Sequence, residues 1–573
     1  MKVQKILDLY PLKAQFKPGE KPMFRVELEE IHPGSVLDVE ISHLNNIIFH
    51  EKYSIQGEEI IDFELEKQDF EQTGFGIKVD LLDLEGLTSD SKSSAFDVAS
   101  HWNKSPRYGF LCEFHPEENG KLKDLDILNK LHINIVQFYD WMYRHDQLVP
   151  EDNNFTDPLG RKLSSDVIKE KIFNANQKGM ATIAYGAIYA SLKDFFEKHS
   201  EWGLYQNDGI PYSLVDIFYI MDISSDSKWN DHIINEFKRV IEYGFDGIHM
   251  DQYGFPKKAW NQQGNLVDMS ETFAPFINRT REELSEINPD VGLIFNNVGN
   301  FPTYATADAK HDAIYIEVWS PINSYPELKV LIDQTKQYSG DKQVILAAYL
   351  APFNHRKEGF NQQAAENGAL TAMATIFANG AYHLLIGEEY KVLTEGYYPN
   401  YGEMSETFKR KVRSYYDFIV QYQELLFGKF VDISYTHTGG YNNEIGRDNE
   451  IEFQGKDIRF SPSGEAGTVW TIVKENERFL VIHLLNLSNY KDNLWNTAKE
   501  SPPVPISNVK VRVLMEENVQ GVFFATPDSN ECQPIELKPK KVKGSNGFML
   551  EVNIEKLEVW SVLCFSKSNK QSG

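Results

Sequence analysis

Several polar residues stand at the ends of apolar, strand-like runs, and their types are those of acid–base chemistry. Asp251 closes the run GIHMD within IEYGFDGIHMDQYG, and Glu317 lies in IYIEVW. Asp140 follows INIVQFY, Asn296 and Asn297 lie in GLIFNNV, and Glu388 follows AYHLLIG. Paired carboxylates are what glycoside hydrolysis requires: one attacks or stabilises an oxocarbenium-like centre while the other protonates the leaving oxygen. The apolar and aromatic neighbours of Glu317 predict a raised pKa and a protonated acid. Gln252 and Tyr253 follow Asp251 and can donate hydrogen bonds that keep a carboxylate ionised. Trp141, with Tyr139 and Tyr143, flanks Asp140, where aromatic rings can stack on pyranose faces; Trp319 ends the Glu317 run and is a further candidate sugar contact. The competing readings make Asp251 a helix cap or loop carboxylate, Glu317 a core ion-pair partner and Trp141 a residue packed beneath a loop.

Side chains from separate strands converge only if the strands share one end, so the elements between them matter. Eight apolar runs can be counted, at 108–114, 133–140, 181–188, 247–254, 292–298, 313–319, 343–350 and 381–388. Near-continuous apolar strands suit a parallel sheet buried on both faces. Helical periodicity separates several of them: Ile233, Phe237, Val240 and Ile241 share one face, as do Phe273, Ile277 and Leu284, with Ser270 as a candidate N-cap. Gly244 can take the left-handed conformation that ends the first of these helices. Eight such units favour a closed (β/α)8 barrel, whose catalytic residues sit at the C-terminal ends of the strands.

The barrel spans residues 99–429, closing with a helical stretch over 405–427. Residues 1–98 alternate with period 2 (Phe24, Val26, Leu28; Leu37, Val39, Ile41; Phe75, Ile77, Val79, Leu81) and read as an N-terminal immunoglobulin-like β-sandwich. The polar run TSDSKSS, 88–94, reads as a linker. Alternation resumes at 469–473, 479–487, 509–513 and 557–565, so residues 430–573 read as a C-terminal β-sandwich with a frayed tail, KSNKQSG. The expected fold is therefore multidomain, α/β plus all-β.

At 573 residues the chain is too long for one core. Its net charge of −26 repels phosphates and argues against nucleic acid or an anionic membrane as partner. No apolar run reaches the length of a membrane span. No GxGxxG or GxxxxGK[ST] follows a strand, which argues against a nucleotide cofactor. The three cysteines are far apart, and neither HMDQ nor HRKEG has the spacing of a metal site, so no cofactor or metal is expected. A GxSxG elbow is absent. His249, mid-strand, reads as a packed or orienting residue.

DLYPLKAQFKPGE, WNKSPRYGFL, VQFYDWM, GFDGIHMDQYG and YIEVW, in this order, resemble glycoside hydrolase family 66, the dextranases and cycloisomaltooligosaccharide glucanotransferases. The resemblance covers about residues 5–430. It implies a retaining mechanism on α-1,6-glucan, with Asp251 as nucleophile, Glu317 as acid/base and Asp140 as a further essential carboxylate in substrate binding. Tyr253, Asn296, Trp319 and Glu388 join Trp141 as candidate substrate contacts. The family's cyclising members carry a carbohydrate-binding module inserted late in the barrel, whereas about 30 residues separate the last two strand runs here. The expectation is a monomeric endo-acting dextranase that releases isomaltooligosaccharides. A cyclising transferase and a non-catalytic glucan-binding protein are the alternatives. Residues 1–20 lack the apolar core of a signal peptide, so the chain is cytoplasmic or its leader has been removed; a polymer substrate favours a secreted or periplasmic enzyme.

Overall fold

In the computed structural model, residues 4–66, 71–438, 450–515, 519–544 and 547–568 are described. The eight apolar runs form one parallel sheet in chain order: β1 Tyr108–Leu111, β2 Ile135–Phe138, β3 Ala181–Ala187, β4 Gly247–Asp251, β5 Gly292–Val298, β6 Ala313–Glu317, β7 Val344–Ala347 and β8 Tyr382–His383. Its two ends meet, because Phe110 of β1 bridges Gly387 in parallel and donates its N–H to the Ile386 carbonyl at 3.2 Å. The strands are buried on both faces, as their near-continuous apolar composition requires.

Seven helices connect or close the barrel: α1 Lys123–Lys130, α2 Ser165–Gln177, α3 Lys228–Tyr243, α4 Met269–Ser285, α5 Tyr325–Ser339, α6 Gln362–Ala378 and α7 Glu406–Gln421. Helix α3 buries Ile233, Phe237, Val240 and Ile241 and ends at Gly244, whose φ of 125° only glycine adopts without strain. Helix α4 buries Phe273, Ile277 and Leu284, but its N-cap is Asp268, which accepts from the Ser270 N–H, so the cap lies two residues before the serine expected there. Between β5 and β6 the helix shrinks to a single turn, Thr303–Thr306. The stretch expected as one helix over 405–427 breaks at Tyr422 into α7 and a short turn, Gln423–Leu426.

Before the barrel, a three-stranded sheet (Lys5–Pro11, Met23–Glu29, Ile60–Glu64) packs on a four-stranded one (Asn46–Ser54, Val36–His43, Thr73–Leu82, Thr88–Val98). The alternating residues predicted from the sequence fill the core between them. The run 88–94 is part of the last strand, not a linker. Its small polar residues make specific bonds: Ser94 Oγ donates to Asp417 on α7 at 3.1 Å, and Asp90 accepts from the Ile6 N–H at 2.8 Å. After the barrel, Val469–Glu475, Phe479–Asn486, Trp560–Lys567 and Val519–Ala525 form one sheet, facing another built on Ile506–Leu514 and Gly547–Leu557 around a second apolar core. The end of the tail, 569–573, lies outside the described residues. No helix among the described residues is long and apolar enough to cross a membrane.

A buried ion pair joins the N-terminal sheet to the barrel. Arg107, one residue before β1, places Nη2 2.8 Å and Nη1 3.1 Å from the two oxygens of Asp97, both side chains being excluded from solvent. The guanidinium also donates to the Ala14, Ser105 and His132 carbonyls, while Asp97 accepts from Gln15 and Ser105. A fully bonded pair of this kind contributes little net, but removing one partner strands a buried charge. Asp97→Ala is therefore expected to destabilise the fold by about 3–5 kcal/mol, measured by urea unfolding; a loss below about 1 kcal/mol would show that Arg107 finds water instead.

Candidate active site

Strands β4, β5 and β6 are consecutive neighbours, with Met250 opposite Phe295 and Val298 opposite Glu317. Asp251 ends β4, Glu317 ends β6, and Asn296 lies on β5 between them. Side chains alternate along a strand, so Asn296 points into the barrel mouth while Asn297 turns away, donating to the Tyr315 carbonyl and accepting from Thr306 Oγ1. The Asn296 amide nitrogen donates to Asp251 Oδ1 at 2.7 Å and to Glu317 Oε2 at 3.1 Å. One nitrogen touching both confines those two oxygens to within about 6 Å of each other.

Two tyrosines close the flanks. Tyr185 Oη, from β3, donates to Asp251 Oδ2 at 2.8 Å, and Tyr349 Oη, just past β7, donates to Glu317 Oε1 at 2.9 Å. The segment 394–398, TEGYY, crosses the mouth: a Cβ on Gly396 would sit 3.2 Å from Glu317 Oε1 and 3.8 Å from the Trp319 and Tyr349 rings, and Tyr139 Oη donates to the Gly396 carbonyl. Tyr398 of that segment stacks on Tyr139 with centroids 4.1 Å apart. Tyr185, Tyr349, Gly396 and Tyr398 were not singled out in the sequence. The signal for Tyr185 and Tyr349 was their place late in strand runs 3 and 7, beside the acids' strands.

Burial raises the pKa of both acids. Asp251 is pushed up to about 7, first by loss of water and next by repulsion from Glu317, while Asn296, Tyr185 and the Gln252 N–H pull it down. Burial also raises Glu317, against the hydrogen bonds from Asn296, Tyr349 and Trp319. Like charges this close resist double ionisation, so the pair holds one proton between its two titrations. The donors to Asp251 are thus Asn296, Tyr185 and a backbone N–H; the side chain of Gln252 is spent instead on the Asn296 and Phe301 carbonyls and the Gly254 N–H.

Asp140 lies past β2 with φ of 47°, buried, its carbonyl taken by Arg161 and its carboxyl 3.8 Å from the same guanidinium. Burial raises it to about 7, Arg161 opposing and Asp157 adding to the shift. Its charge and that of Asp251 both reach the Tyr139, Tyr185 and Tyr253 hydroxyls, so these residues share one enclosure. Tyr253 packs edge-on against Tyr189, centroids 5.4 Å apart. Trp319 is 44% exposed and edges Tyr349, leaving its ring open to a ligand.

Two expected contacts are corrected. Trp141 is fully buried, packed on Phe245 at 4.6 Å, with its indole N–H given to the Tyr185 carbonyl at 3.1 Å; the turn at Asp140 sends the next side chain inward. Glu388 is buried and its oxygens accept from the Cys112 N–H at 3.0 and 3.1 Å and from the thiol at 3.1 Å, so it ties the turn after β8 to the end of β1. Cys112, Glu113 and Glu388 have ligand atoms within 4.8 Å of one another, but these bonds occupy Glu388, and burial keeps the thiol protonated. His249 is enclosed in the barrel, 3.0 Å from Tyr108 Oη and held neutral by burial, which lowers its pKa to about 3.

The model of Glycosyl hydrolase family 66 matches residues 11–564. The chain belongs to that family. A cycloisomaltooligosaccharide glucanotransferase of Niallia circulans is 25% identical over 716 aligned positions, covering 98% of this chain and 72% of the relative. A dextranase of Streptococcus salivarius is 24% identical, covering 86% and 67%. The crystal structure of a Paenibacillus sp. cycloisomaltooligosaccharide glucanotransferase complexed with cycloisomaltoheptaose superposes with a TM-score of 0.87 at 22% identity, over 98% of this chain and 99% of that one, a likeness of fold. This family 66 chain is thus a glucan-active, glycosidase-type enzyme.

Asp140 gives a sign that can be checked without substrate. With a folded pKa of about 7 against an ordinary 3.8, it retains a proton that the unfolded chain has released, so its contribution to stability falls as pH rises between those values. Asp140→Asn removes that cost. Its melting temperature is expected to match wild type near pH 4 and to exceed it by several degrees at pH 8; equal curves at pH 8 would mean that Arg161 keeps Asp140 ionised.

Proposed function

We propose that this enzyme is an endo-dextranase, hydrolysing internal α-1,6-glucosidic bonds by retaining double displacement with Asp251 as nucleophile and Glu317 as acid/base. The observation that carries the reading is the Asn296 nitrogen shared by both carboxyls. Retaining glycosidases hold their carboxyls about 5–5.5 Å apart, whereas inverting ones leave about 6.5–9.5 Å for a water; a bridge of one nitrogen favours the shorter range. Glu317 protonates the leaving glycosidic oxygen while Asp251 attacks the anomeric carbon, forming a glycosyl ester. The Glu317 carboxylate then takes a proton from water as it displaces Asp251, restoring both groups and the substrate's α-configuration. Asp140, with Arg161 behind it, holds hydroxyls of the sugar at the cleavage site, and Trp319 and Tyr253 bear on its neighbours.

The cyclising transferase shares the first half of this sequence and differs only in what intercepts the ester. The Niallia circulans relative favours it by name. Against it, β7 and β8 are joined only by one short turn, Ala351–Phe353, and α6, and the 716 aligned positions of that relative exceed this chain's 573 residues by about 140. We assign residues 1–98, 99–429 and 430–573 to an immunoglobulin-like domain, the catalytic barrel and a C-terminal β-sandwich. We propose a monomer, and a polymer substrate suits a secreted or periplasmic enzyme.

Product analysis on dextran separates the readings: linear isomaltooligosaccharides are expected, cyclic products would select the transferase, and no products a binding protein. Proton NMR of the first-formed sugars should show the α-anomer; initial β-anomer would overturn double displacement. Asp251→Asn and Glu317→Gln should each lower kcat by several powers of ten, about 1.4 kcal/mol of transition-state stabilisation per tenfold, and more than a tenth of wild-type activity in either would remove that residue from the mechanism.

The pH dependence follows from the shared proton. Activity needs Asp251 ionised and Glu317 protonated, and burial raises Glu317, so kcat/KM is expected to fall with rising pH along a limb that lies above the ordinary carboxylate range. Asn296 favours the ionised form of both acids, so Asn296→Ala should move both limbs of the profile to higher pH. An unmoved profile with a raised KM would make Asn296 a sugar contact instead.

A further inference from the structure

At the opposite, N-terminal end of the barrel lies a cavity of about 900 Å³, where α5, the end of α6 and the first C-terminal sheet come together. Lys336 of α5 and Lys474 of the strand Val469–Glu475 both line it. Lys474 Nζ donates to the Ala378 carbonyl at 2.7 Å and Lys336 Nζ to the Asn379 carbonyl at 3.2 Å, at the negative end of α6. That accounts for one of the three protons on each ammonium. Gly380, with φ of 81°, lets the two groups converge: a Cβ there would strike Lys336 Nζ and sit 3.6 Å from Lys474 Nζ, so the nitrogens lie within about 6 Å of each other.

The carboxylates lining the cavity are already engaged. Asp333 and Asp432 pair with Lys329, Asp341 with Lys429 and Asp312 with Arg281, Glu424 bonds His43, and Glu71 accepts from the Ser100 N–H and hydroxyl. Among the described residues, no carboxylate stands within ion-pair distance of Lys336 or Lys474. Three buried side chains on the same wall also lack partners among the described residues: the Gln423 amide at both ends, the Tyr382 hydroxyl and the Asn379 side-chain oxygen. Buried polar groups are normally matched, so the Gln423 N–H and the Tyr382 hydroxyl are unused donors on this wall, and the Asn379 and Gln423 oxygens unused acceptors.

We propose that this cavity binds a small oxyanion of the phosphate class between the Lys336 and Lys474 ammonium groups, with the Gln423 amide on the same wall. Charge-assisted bonds to ammonium groups are the strong ones, and two such groups fit an anion that accepts on several oxygens. The overall charge of −26 opposes any anion at long range, but at physiological salt that repulsion is screened beyond about 8 Å, so the local pair decides. Burial lowers Lys336 to about 8, with Lys329 adding to the shift and Asp333 opposing it. Lys474 is lowered further, by burial and then by Lys336 and Lys329, against Asp432 and Asp333; His483 behind it is neutral through burial. Lys104, Lys342, Lys429 and Arg478 are the other cations on the cavity wall. An anion between the two ammonium groups restores their protons, so binding takes up protons at pH 8 and weakens as pH rises above it.

The test is calorimetric titration of the full chain with inorganic phosphate at constant ionic strength and pH 8, in two buffers of different ionisation enthalpy. One saturable site with proton uptake is expected, weakened at least tenfold in Lys336→Gln and in Lys474→Met, with glucan hydrolysis unchanged in both. If Lys474→Met fails to fold, Lys336→Gln and the proton count of the unaltered protein decide. A glucose phosphate that binds more tightly than inorganic phosphate would make a phosphorylated sugar the source of the oxyanion; equal or weaker binding would make it free phosphate. No saturable heat, binding without proton uptake, or undiminished affinity in both variants would overturn the proposal.

Discussion

Two carboxyl groups held out of water beside each other are the constraint on which the site depends. Each alone would resist ionisation, and together they repel, so the fold must supply donors where water has been removed. It does so with one amide between them and one tyrosine on each flank. That solution needs three adjacent parallel strands with their ends level, because Asp251, Asn296 and Glu317 belong to β4, β5 and β6 and must face the same way. A closed barrel fixes the tilt and register that an open sheet leaves free, and the bridge from Phe110 to Gly387 is what closes it. The shared proton follows from the geometry: donors are numerous enough to let one group ionise, and the repulsion keeps the second neutral.

Much of this could be read from residue patterns. Apolar runs at regular spacing mark the strands because burial on both faces leaves little room for polar residues, and an acid at the end of such a run is exposed by its contrast. Failures arose where the chain leaves regular geometry. The run 133–140 reads as one strand, but β2 ends at Phe138 and the positive φ of Asp140 turns the backbone, carrying Trp141 from the expected cleft into the core. Strand period says nothing beyond a turn. Glu388 fails for a different reason: its partner, the Cys112 N–H, is 276 residues away, and no local pattern reports a contact closed by the barrel itself. The run 88–94 misled because small polar residues usually solvate a linker, whereas here they bond α7 and the first strand.

The two ends of the barrel solve opposite electrostatic problems. At the C-terminal end, buried acids are held by neutral donors, which lets their protons move. At the N-terminal end, buried lysines rest on the carbonyls that finish α6, and the cations there outnumber their partners in the cavity's depth. The Arg107–Asp97 pair, between the N-terminal sheet and β1, differs from both: its charges are matched and its remaining bonds are filled. Matched charge suits a joint between domains, while unmatched charge marks a place where a ligand completes the structure. This agrees with the division of labour in barrels, where the C-terminal face carries chemistry and the opposite face carries stability.

In the double displacement we propose, whether the glycosyl ester meets water or a sugar depends on what the cleft retains after the leaving group departs. Trp319 stands beside Glu317 with nearly half its surface open, so it can hold a sugar on the leaving-group side without enclosing it. The segment carrying Gly396 lies against both Glu317 and the Trp319 ring, so closely that a methyl group there would crowd the Glu317 oxygen. In the mechanism we propose, the departing sugar and the incoming water both meet Glu317 beside that ring. An acceptor sugar held on Trp319 would compete with water directly in proportion to its occupancy. Hydrolysis then dominates when the open ring binds weakly, and transfer grows with substrate concentration, without any change in the catalytic pair. In this reading the hydrolases and transferases of the family can differ in what flanks the acid rather than in the acids themselves.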